Sequence, residues 1–197
     1  ISPWNYPFGI PMHEIMMALV TGNGVVLKVA TQAQPVGEAI IDLVRSVGVP
    51  EDLVALVHLP GRQAGDAFLG AAIDKLMFTG SVAVGKQLAE GAARRLLPVG
   101  LELGGNDAMI VLDDAPLDRA VSGALWAGLS NAGQSCGGVE RVIVERGIWK
   151  QFRDALVERV SELRVGPDRD HNVDVGSLTT DAQRSVVEAH VRQALET

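Results

Sequence analysis

Short runs of β-branched and apolar residues alternate with longer helical patterns along this chain of 197 residues. The first four predicted strands cover residues 25–29, 54–59, 75–79 and 96–103. Strands that alternate with helices are typical of βαβ units, in which neighbouring strands run parallel and helices cover the sheet. The pattern therefore predicts an α/β protein built on a parallel sheet.

The segment between the first two predicted strands shows the helical signal most clearly. Residues 36–47 place Ile40 and Val44 on one apolar face, and charged residues occupy the opposite face. Gly48 and Pro50 follow directly, and both residue types end helices. We therefore expect this helix to lie on a sheet and to end before Gly48.

A second region begins near the glycine pair at 104 and 105, which is the predicted hinge between domains 1–103 and 104–197. A capping box at Thr180 and Gln183 opens the last helix, which continues to the end of the sequence. The region contains predicted strands at 107–112 and 141–145, helices at 117–129 and 148–163, and a polar loop at 165–177.

Composition excludes several classes of function. The chain has 17 basic and 24 acidic residues, a net charge of -7, and its basic residues are dispersed, so nucleic acid is not an expected partner. The longest apolar runs are far shorter than the roughly 18 residues of a membrane span. We expect a soluble, cytoplasmic protein without a membrane partner.

The only cysteine, Cys136, lies in the glycine-rich run 131–138 and cannot form an internal disulfide. Four dispersed histidines show no metal-ligand spacing with it, so no metal site is predicted. A thiol among glycines can attack a carbonyl carbon. The alternative is an inert thiol that packs as a small apolar side chain.

Three further residues have both a chemical and a structural interpretation. Asn5 lies in a stiff run of aromatics and prolines, where its amide could donate to an oxyanion or stabilise a turn. Lys28 follows a strand and could bind a ligand or be solvated. Glu102 lies in an apolar stretch where burial would favour a general base, or it could pair with Arg94 or Arg95.

Gly80 and Ser81 connect a predicted strand to a helix that contains Gly85. Free N–H groups at such a helix start could bind a pyrophosphate. The spacing differs from the dinucleotide fingerprint, so Ser81 could equally be a plain N-cap and Gly85 a packing glycine.

Taken together, these residues resemble the aldehyde dehydrogenase superfamily, whose members use NAD(P), over nearly the whole chain. The order and spacing of five motifs are similar to those of the family. The motifs are residues 3–8 (PWNYPF), 27–30 (LKVA), 78–81 (FTGS), 101–105 (LELGG) and 133–136 (GQSC).

The resemblance implies a Rossmann-like parallel sheet with flanking helices in residues 1–103, as part of an NAD(P)-binding domain, and the start of a second, catalytic α/β domain in 104–197. It implies that an aldehyde is oxidised to a carboxylic acid. Cys136 would be the nucleophile, Glu102 would activate water to hydrolyse a thioester, and Asn5 would hold the oxyanion with the Cys136 backbone N–H.

The resemblance also implies a cofactor site. Lys28 would bind the adenosine ribose, and the turn at Thr79, Gly80 and Ser81 with its helix would hold the pyrophosphate. The remaining predicted cofactor residues are Trp4, Thr31, Gly61, Gly65, Phe78, Gly85 and Leu103.

Thr31 stands where many NAD-preferring members have a glutamate. Without that carboxylate a 2′-phosphate is not repelled, so we expect NADP to be accepted. The alternative is a neutral Thr31 with NAD still in use.

The family has a segment before this stretch and a nicotinamide-ribose motif and an oligomerisation strand beyond it. We therefore expect a central fragment that does not turn over alone, from a protein that is a homo-oligomer at full length. Two alternatives stay open: an acyl-transferring, coenzyme A-dependent or reductive relative, and a catalytically incomplete binding or structural fragment.

Overall fold

The computed structural model describes residues 1–167 and 169–196. The chain divides into two compact units, one ending at Gly104 and the other beginning at Gly105. The sequence places the domain boundary one residue earlier, between Leu103 and Gly104. The predicted roles of the two parts, cofactor binding and catalysis, stay predictions.

The first unit alternates strands and helices, as the sequence pattern predicts. A 3-10 turn at Thr31–Ala33 leads into its second helix. Its elements are α1 (Gly9–Val20), β1 (Val25–Leu27), α2 (Gln34–Ser46), β2 (Val54–Leu56), α3 (Gly61–Gly70), β3 (Leu76–Thr79), α4 (Val82–Ala93) and β4 (Val99–Glu102).

The strands of this unit are shorter than predicted, for local reasons. β4 begins at Val99 instead of residue 96 because Leu96 has a φ of 53° and Pro98 has no N–H for a strand ladder. β2 ends at Leu56, and the chain then reaches Pro60, the residue before α3. Helix α2 ends before Gly48, which has a φ of 85°, so the predicted helix stop is confirmed.

The strands of the first unit are parallel. β1 pairs with β2, and β3 pairs with β4 in a register that places Thr79 opposite Glu102. Ile1 and Ser2 lie between the two pairs. The Ile1 main-chain nitrogen donates to the Met77 carbonyl at 2.7 Å, the Thr79 N–H donates to the Ile1 carbonyl at 3.0 Å, and the Ser2 N–H donates to the Lys28 carbonyl at 2.8 Å. These bonds join the pairs, which agrees with the predicted parallel α/β sheet.

Two apolar cores hold the helices of this unit against its strands. In one, Ile40 of α2 is fully buried and packs with Ile15 of α1 and Leu27 of β1. In the other, Leu88 of α4 packs with Phe78 of β3. Full burial of an aliphatic or aromatic side chain contributes about 1.5–3 kcal/mol, so each helix is fixed mainly by its apolar face.

The second unit repeats the strand and helix arrangement. β5 and β6 are parallel, and Phe152, Val111 and Val121 form the centre of its core. The Thr180 hydroxyl accepts from the Gln183 N–H at 3.1 Å, so the predicted cap is confirmed. The elements are β5 (Asp107–Val111), α5 (Leu117–Leu129), a 3-10 turn (Ser130–Gly133), β6 (Val139–Val144), α6 (Trp149–Ser161) and α7 (Asp181–Leu195).

The described part of the chain contains no helix with the length and apolar character needed to cross a membrane.

Candidate active site

The predicted site residues of the first unit gather at one edge of its strands. Lys28 follows β1, Gly80 follows β3, and Glu102 is the last residue of β4. Asn5 lies just beyond Ser2, in the segment that leaves the position between β1 and β3. Because these strands are parallel, their carboxyl ends share one edge, which is where open α/β sheets bind ligands.

The turn from β3 into α4 is fixed on both sides. The Gly80 N–H donates to the Glu102 carbonyl at 3.0 Å, and the Ser81 hydroxyl accepts from the Val84 N–H at 3.4 Å. The Phe78 ring lies so close to Gly80 that an added Cβ would stand 2.5 Å from it. Only glycine therefore allows this turn, and Ser81 acts as an N-cap.

Gly85 provides a close approach between α4 and the residue that follows β4. An added Cβ at Gly85 would lie 2.7 Å from the Leu103 side chain. Gly85 therefore has a packing role, and its predicted contact with a cofactor stays a prediction. The packing places Leu103 against α4, next to the start of that helix.

The start of α4 has local features that favour a negatively charged ligand. Its first turn contains no acidic residue, and its first N–H groups have no partners within the helix. At the neighbouring strand end, the Ser2 hydroxyl is buried and has no hydrogen-bond partner among the described residues. Unpaired donors and a buried hydroxyl of this kind fit a phosphate- and ribose-bearing cofactor.

Lys28 is buried, with only 5% of its surface exposed, so the alternative of a fully solvated lysine is wrong. Burial lowers the pKa of the Lys28 ammonium below its ordinary value. A cation held at the strand edge can attract the hydroxyl or phosphate oxygens of a ligand.

Glu102 is exposed, and the expectation that it is buried is wrong. It is the last residue of β4, at the open edge of the strands, so the apolar residues before it do not cover its carboxylate. Among the described residues no ion pair joins it to Arg94 or Arg95, and Arg95 donates instead to the Ala71 carbonyl at 3.0 Å. An exposed carboxylate has direct access to water.

Trp4 and Asn5 are half-buried in the stretch before α1. Thr31 is exposed and begins the 3-10 turn that follows Lys28 along the chain. All three positions therefore lie near a strand end, and their roles toward a cofactor or substrate stay predictions.

Gly61 and Gly65, two of the predicted cofactor residues, both belong to helix α3. α3 begins at Gly61, directly after its N-cap residue Pro60. Gly65 therefore lies inside the helix, where an added Cβ would stand 3.2 Å from Leu88 of α4. It allows the two helices to pack closely, while Gly61 has open space around it.

In the second unit, Cys136 is exposed and follows an unusual turn. Asn131, Ala132 and Gly133 have φ angles of 52°, 56° and 73°, so three successive residues adopt the left-handed conformation. Such conformations cost about 1–2 kcal/mol for a residue with a Cβ and concentrate at functional sites.

Gln134 holds this turn in place. The side chain is 8% exposed, its Nε2 donates to the Asn131 carbonyl at 2.9 Å, and its Oε1 accepts from the Thr179 N–H at 2.9 Å. The sequence motif contains Gln134, but its spacing gives no indication of a partner near residue 179. Gln134 fixes the backbone two residues before the thiol.

Gly105 lies close to the Cys136 backbone. An added Cβ at Gly105 would lie 3.3 Å from the Cys136 carbonyl oxygen and 2.8 Å from an Asp107 carboxylate oxygen. Gly105 therefore allows the start of β5 to approach the backbone of Cys136.

Glu14 is a polar residue of this edge that the sequence motifs do not include. The Thr79 hydroxyl donates to its carboxylate at 3.4 Å. The one signal in the sequence is that Glu14 is the only acidic residue of helix α1, whose other residues are apolar except for His13. Among the described residues no group of three or more His, Cys, Asp or Glu side chains could hold a metal ion.

The fold is that of an α/β protein with two parallel units, one with polar residues at its strand edge and one with an exposed thiol. The model of the aldehyde dehydrogenase family matches residues 1–197. The chain belongs to this family, as its motifs predict.

Individual relatives agree with this assignment. The 4,4'-diapolycopene aldehyde oxidase of Methylomonas is 40% identical over 195 residues, which are 99% of this chain and 36% of that protein. A putative succinate-semialdehyde dehydrogenase [NADP(+)] 2 of Mycobacterium bovis is 42% identical over 194 residues, 98% of this chain and 37% of that protein. The chain therefore spans little more than a third of the length of these curated relatives.

The fold is shared as well. The crystal structure of an NAD-dependent aldehyde dehydrogenase from Sinorhizobium meliloti superposes with a TM-score of 0.95 at 32% identity. The match covers 99% of this chain and 39% of that protein, so the predicted aldehyde dehydrogenase-like fold, incomplete in this stretch, is confirmed.

Proposed function

We propose that the protein containing this chain oxidises an aldehyde to a carboxylic acid with NAD(P)+ through a thioester on Cys136. The observation that carries the proposal is the exposed thiol of Cys136 after a left-handed turn that Gln134 fixes, in a chain of the aldehyde dehydrogenase family. The proposal gives Cys136, Asn5 and Glu102 one role each.

In the first step the Cys136 thiolate attacks the carbonyl carbon of the aldehyde and forms a C–S bond. The carbonyl oxygen becomes an oxyanion, which accepts hydrogen bonds from the Asn5 side-chain amide and the Cys136 backbone N–H. Donors fixed in place before the reaction stabilise such a charge by about 3–4 kcal/mol each. The product is a thiohemiacetal.

When bound, NAD(P)+ supplies the acceptor for the hydride that leaves the thiohemiacetal carbon, and a thioester stays on Cys136. Lys28 would bind the adenosine ribose, and Gly80, Ser81 and the first N–H groups of α4 would hold the pyrophosphate. The capped start of α4, without acidic residues in its first turn, supports this assignment.

In the last step Glu102 takes a proton from a water molecule whose oxygen bonds to the thioester carbon. The C–S bond then breaks, the carboxylic acid leaves, and Cys136 is again a thiolate. The exposed Glu102 carboxylate supports this role, because it can meet water directly.

NADP is the cofactor that the exposed Thr31 favours, because no carboxylate there would repel a 2′-phosphate. The name of one relative supports this proposal, because the Mycobacterium bovis protein is named for NADP(+). Thr31→Glu should lower kcat/KM for NADP relative to NAD by at least about tenfold. If the ratio of kcat/KM for NADP to kcat/KM for NAD is the same in the wild-type and Thr31→Glu proteins, the proposed role of Thr31 is contradicted.

Two variants of the protein at its natural length test the role of the Cys136 thiol and the role of the Glu102 carboxylate separately. Cys136→Ala should lose at least about a thousandfold in kcat. Glu102→Gln should retain the first burst of reduced cofactor but lose acid release, since only hydrolysis needs the base.

The matched control is Glu90→Gln, which changes an exposed glutamate of α4 and should keep the wild-type rates. Full activity of Cys136→Ala would disprove the nucleophile, and strict dependence of product release on coenzyme A would replace hydrolysis by acyl transfer.

A further inference from the structure

The sequence contains one Asn-Gly pair, Asn23 and Gly24, in the turn between α1 and β1. In such a pair the backbone nitrogen of the glycine can attack the side-chain amide carbon of the asparagine, because glycine has no Cβ that obstructs the approach. Asparagine is also a thermolabile residue. Both residues are exposed, so water has access to the pair.

Asn23 belongs to the motif that ends α1. Gly22 has a φ of 81°, and its N–H donates to the Leu19 carbonyl at 3.0 Å. The Asn23 N–H donates to the Ala18 carbonyl at 2.9 Å. These two bonds form a Schellman motif, which satisfies carbonyls that have no partner inside the helix. The backbone of Asn23 is therefore fixed at the end of α1.

The Asn23 side chain is held at the same helix end. Its Nδ2 donates to the Thr21 hydroxyl at 2.9 Å, the Thr21 carbonyl at 3.2 Å and the Ala18 carbonyl at 3.3 Å. The Thr21 hydroxyl itself donates to the Met17 carbonyl at 2.7 Å and to the Ala18 carbonyl at 3.0 Å. Because all these acceptors precede Asn23 in the chain, the bonds hold its amide toward α1 and oppose rotation toward the Gly24 nitrogen.

On the other side of the pair the chain enters the sheet. The Val25 N–H donates to the Leu53 carbonyl at 2.7 Å. An added Cβ at Gly24 would lie 3.4 Å from that carbonyl oxygen, and Gly24 does not have a positive φ. Alanine therefore fits at position 24, so the effect of the glycine on the reactivity of Asn23 can be tested separately.

We propose that Asn23 is a site of spontaneous deamidation and that its hydrogen bond to Thr21 limits the rate. The Gly24 nitrogen loses its proton to hydroxide and bonds to the Asn23 Cγ. The bond from Cγ to Nδ2 breaks, Nδ2 takes a proton from water and leaves as ammonia, and a cyclic imide forms. Water then adds to either carbonyl of the imide, a ring C–N bond breaks, and aspartate or isoaspartate results. No step depends on the proposed function.

The product can no longer hold the end of α1 in the same way. A carboxylate accepts hydrogen bonds but does not donate them, and its negative charge lies at the negative end of the helix dipole. In isoaspartate the main chain also passes through the Cβ, which lengthens the connection to β1. Because Ile15 of α1 packs with Leu27 of β1, this change reaches the apolar core, and the deamidated protein should have a lower Tm.

The test incubates the protein at its natural length in mildly alkaline buffer made with heavy-oxygen water, and peptide mass spectrometry locates the label. Only molecules that react during the incubation take up heavy oxygen at the site. Asn23 should be labelled at least about tenfold faster than Asn172, an exposed asparagine that valine follows. Gly24→Ala should slow the labelling of Asn23 at least about tenfold, because the added Cβ obstructs the attack.

Two variants of Thr21 test whether its hydroxyl limits the rate. Thr21→Val removes the acceptor at 2.9 Å and should speed the labelling of Asn23 about threefold. Thr21→Ser keeps the hydroxyl and should react at the wild-type rate. After the same incubation the Tm of the wild-type protein should fall, whereas that of Gly24→Ala should stay unchanged.

If Asn23 in the wild-type protein takes up no label, or takes it up no faster than Asn172, the proposed site is wrong. Equal rates in the wild-type and Thr21→Val proteins would overturn the role of Thr21. If Gly24→Ala does not fold, Asn23→Gln replaces it, because the longer side chain closes a ring far more slowly. Labelling of Asn23→Gln at the wild-type rate would then overturn the proposal.

Discussion

The two units position their proposed site residues by different means. In the first unit, Lys28, Gly80 and Glu102 stand at the ends of strands whose register and apolar packing fix them. In the second unit, Cys136 follows three left-handed residues, and hydrogen bonds of the Gln134 side chain hold that turn. The edge of the first unit therefore depends on burial, and the turn of the second depends on specific polar contacts.

This difference indicates how each region tolerates substitution. A strand edge loses its geometry when large side chains are removed from the core beneath it. A turn that one side chain holds by hydrogen bonds loses its geometry when a donor or acceptor of that side chain is removed. Four predictions test this distinction, and each uses the free energy of unfolding or a titration of the protein at its natural length.

The largest effect is expected in the first unit. Phe78→Ala removes a ring that is 6% exposed and lies against Gly80, so it should lower the free energy of unfolding by about 3–4 kcal/mol. Phe8→Ala is the control, because Phe8 is 49% exposed. This substitution should lower the free energy of unfolding by less than about 1 kcal/mol. Urea unfolding measures both, and equal losses would show that burial does not hold this edge.

A smaller loss is expected for the turn before Cys136. Gln134→Leu leaves the Thr179 N–H and the Asn131 carbonyl without this side chain, which should cost about 2 kcal/mol. Gln151→Leu changes an exposed glutamine of α6 and serves as the control in the same urea experiment. If the two variants unfold at the same urea concentration, Gln134 does not hold the turn.

One substitution should stabilise the protein. Ala132 has a φ of 56°, which costs about 1–2 kcal/mol for a residue with a Cβ, whereas glycine adopts it freely. Glycine also raises the conformational entropy of the unfolded chain, which offsets part of this gain. Ala132→Gly should therefore increase the free energy of unfolding by about 0.5 kcal/mol, which a higher Tm would show. Ala127→Gly, inside α5, should instead lower Tm. A lower Tm for Ala132→Gly would mean that the left-handed turn carries no strain.

The smallest effect concerns a second irregular segment of the second unit. The Arg164 guanidinium donates two hydrogen bonds to the Asp174 carboxylate, each at 2.9 Å, and lowers the pKa of Asp174 to about 2. Because the pKa of Asp174 is lowered in the folded protein, the contact stabilises the fold at pH values above the ordinary aspartate pKa. This stabilisation is lost as the pH falls toward 2. NMR titration should show this value, and Arg164→Gln should return it to the ordinary range. An unchanged titration would show that Arg164 is not the cause.

The sequence predicts the regular elements well and the side-chain contacts poorly. The helix at 117–129 and the Thr180 cap follow from periodicity and local capping chemistry, which depend on neighbouring residues only. The exposure of Glu102 was predicted wrongly, because an apolar strand does not reveal that its last residue reaches an open edge. The bond between Glu14 and Thr79 joins residues far apart in sequence, and no local pattern indicates it.

The two residues between β1 and β3 also connect the position of Asn5 to the stability of both strand pairs. Ile1 and Ser2 bond to Lys28 on one side and to Met77 and Thr79 on the other, and Asn5 lies three residues after Ser2. The place of the proposed oxyanion donor thus depends on bonds to both strand pairs.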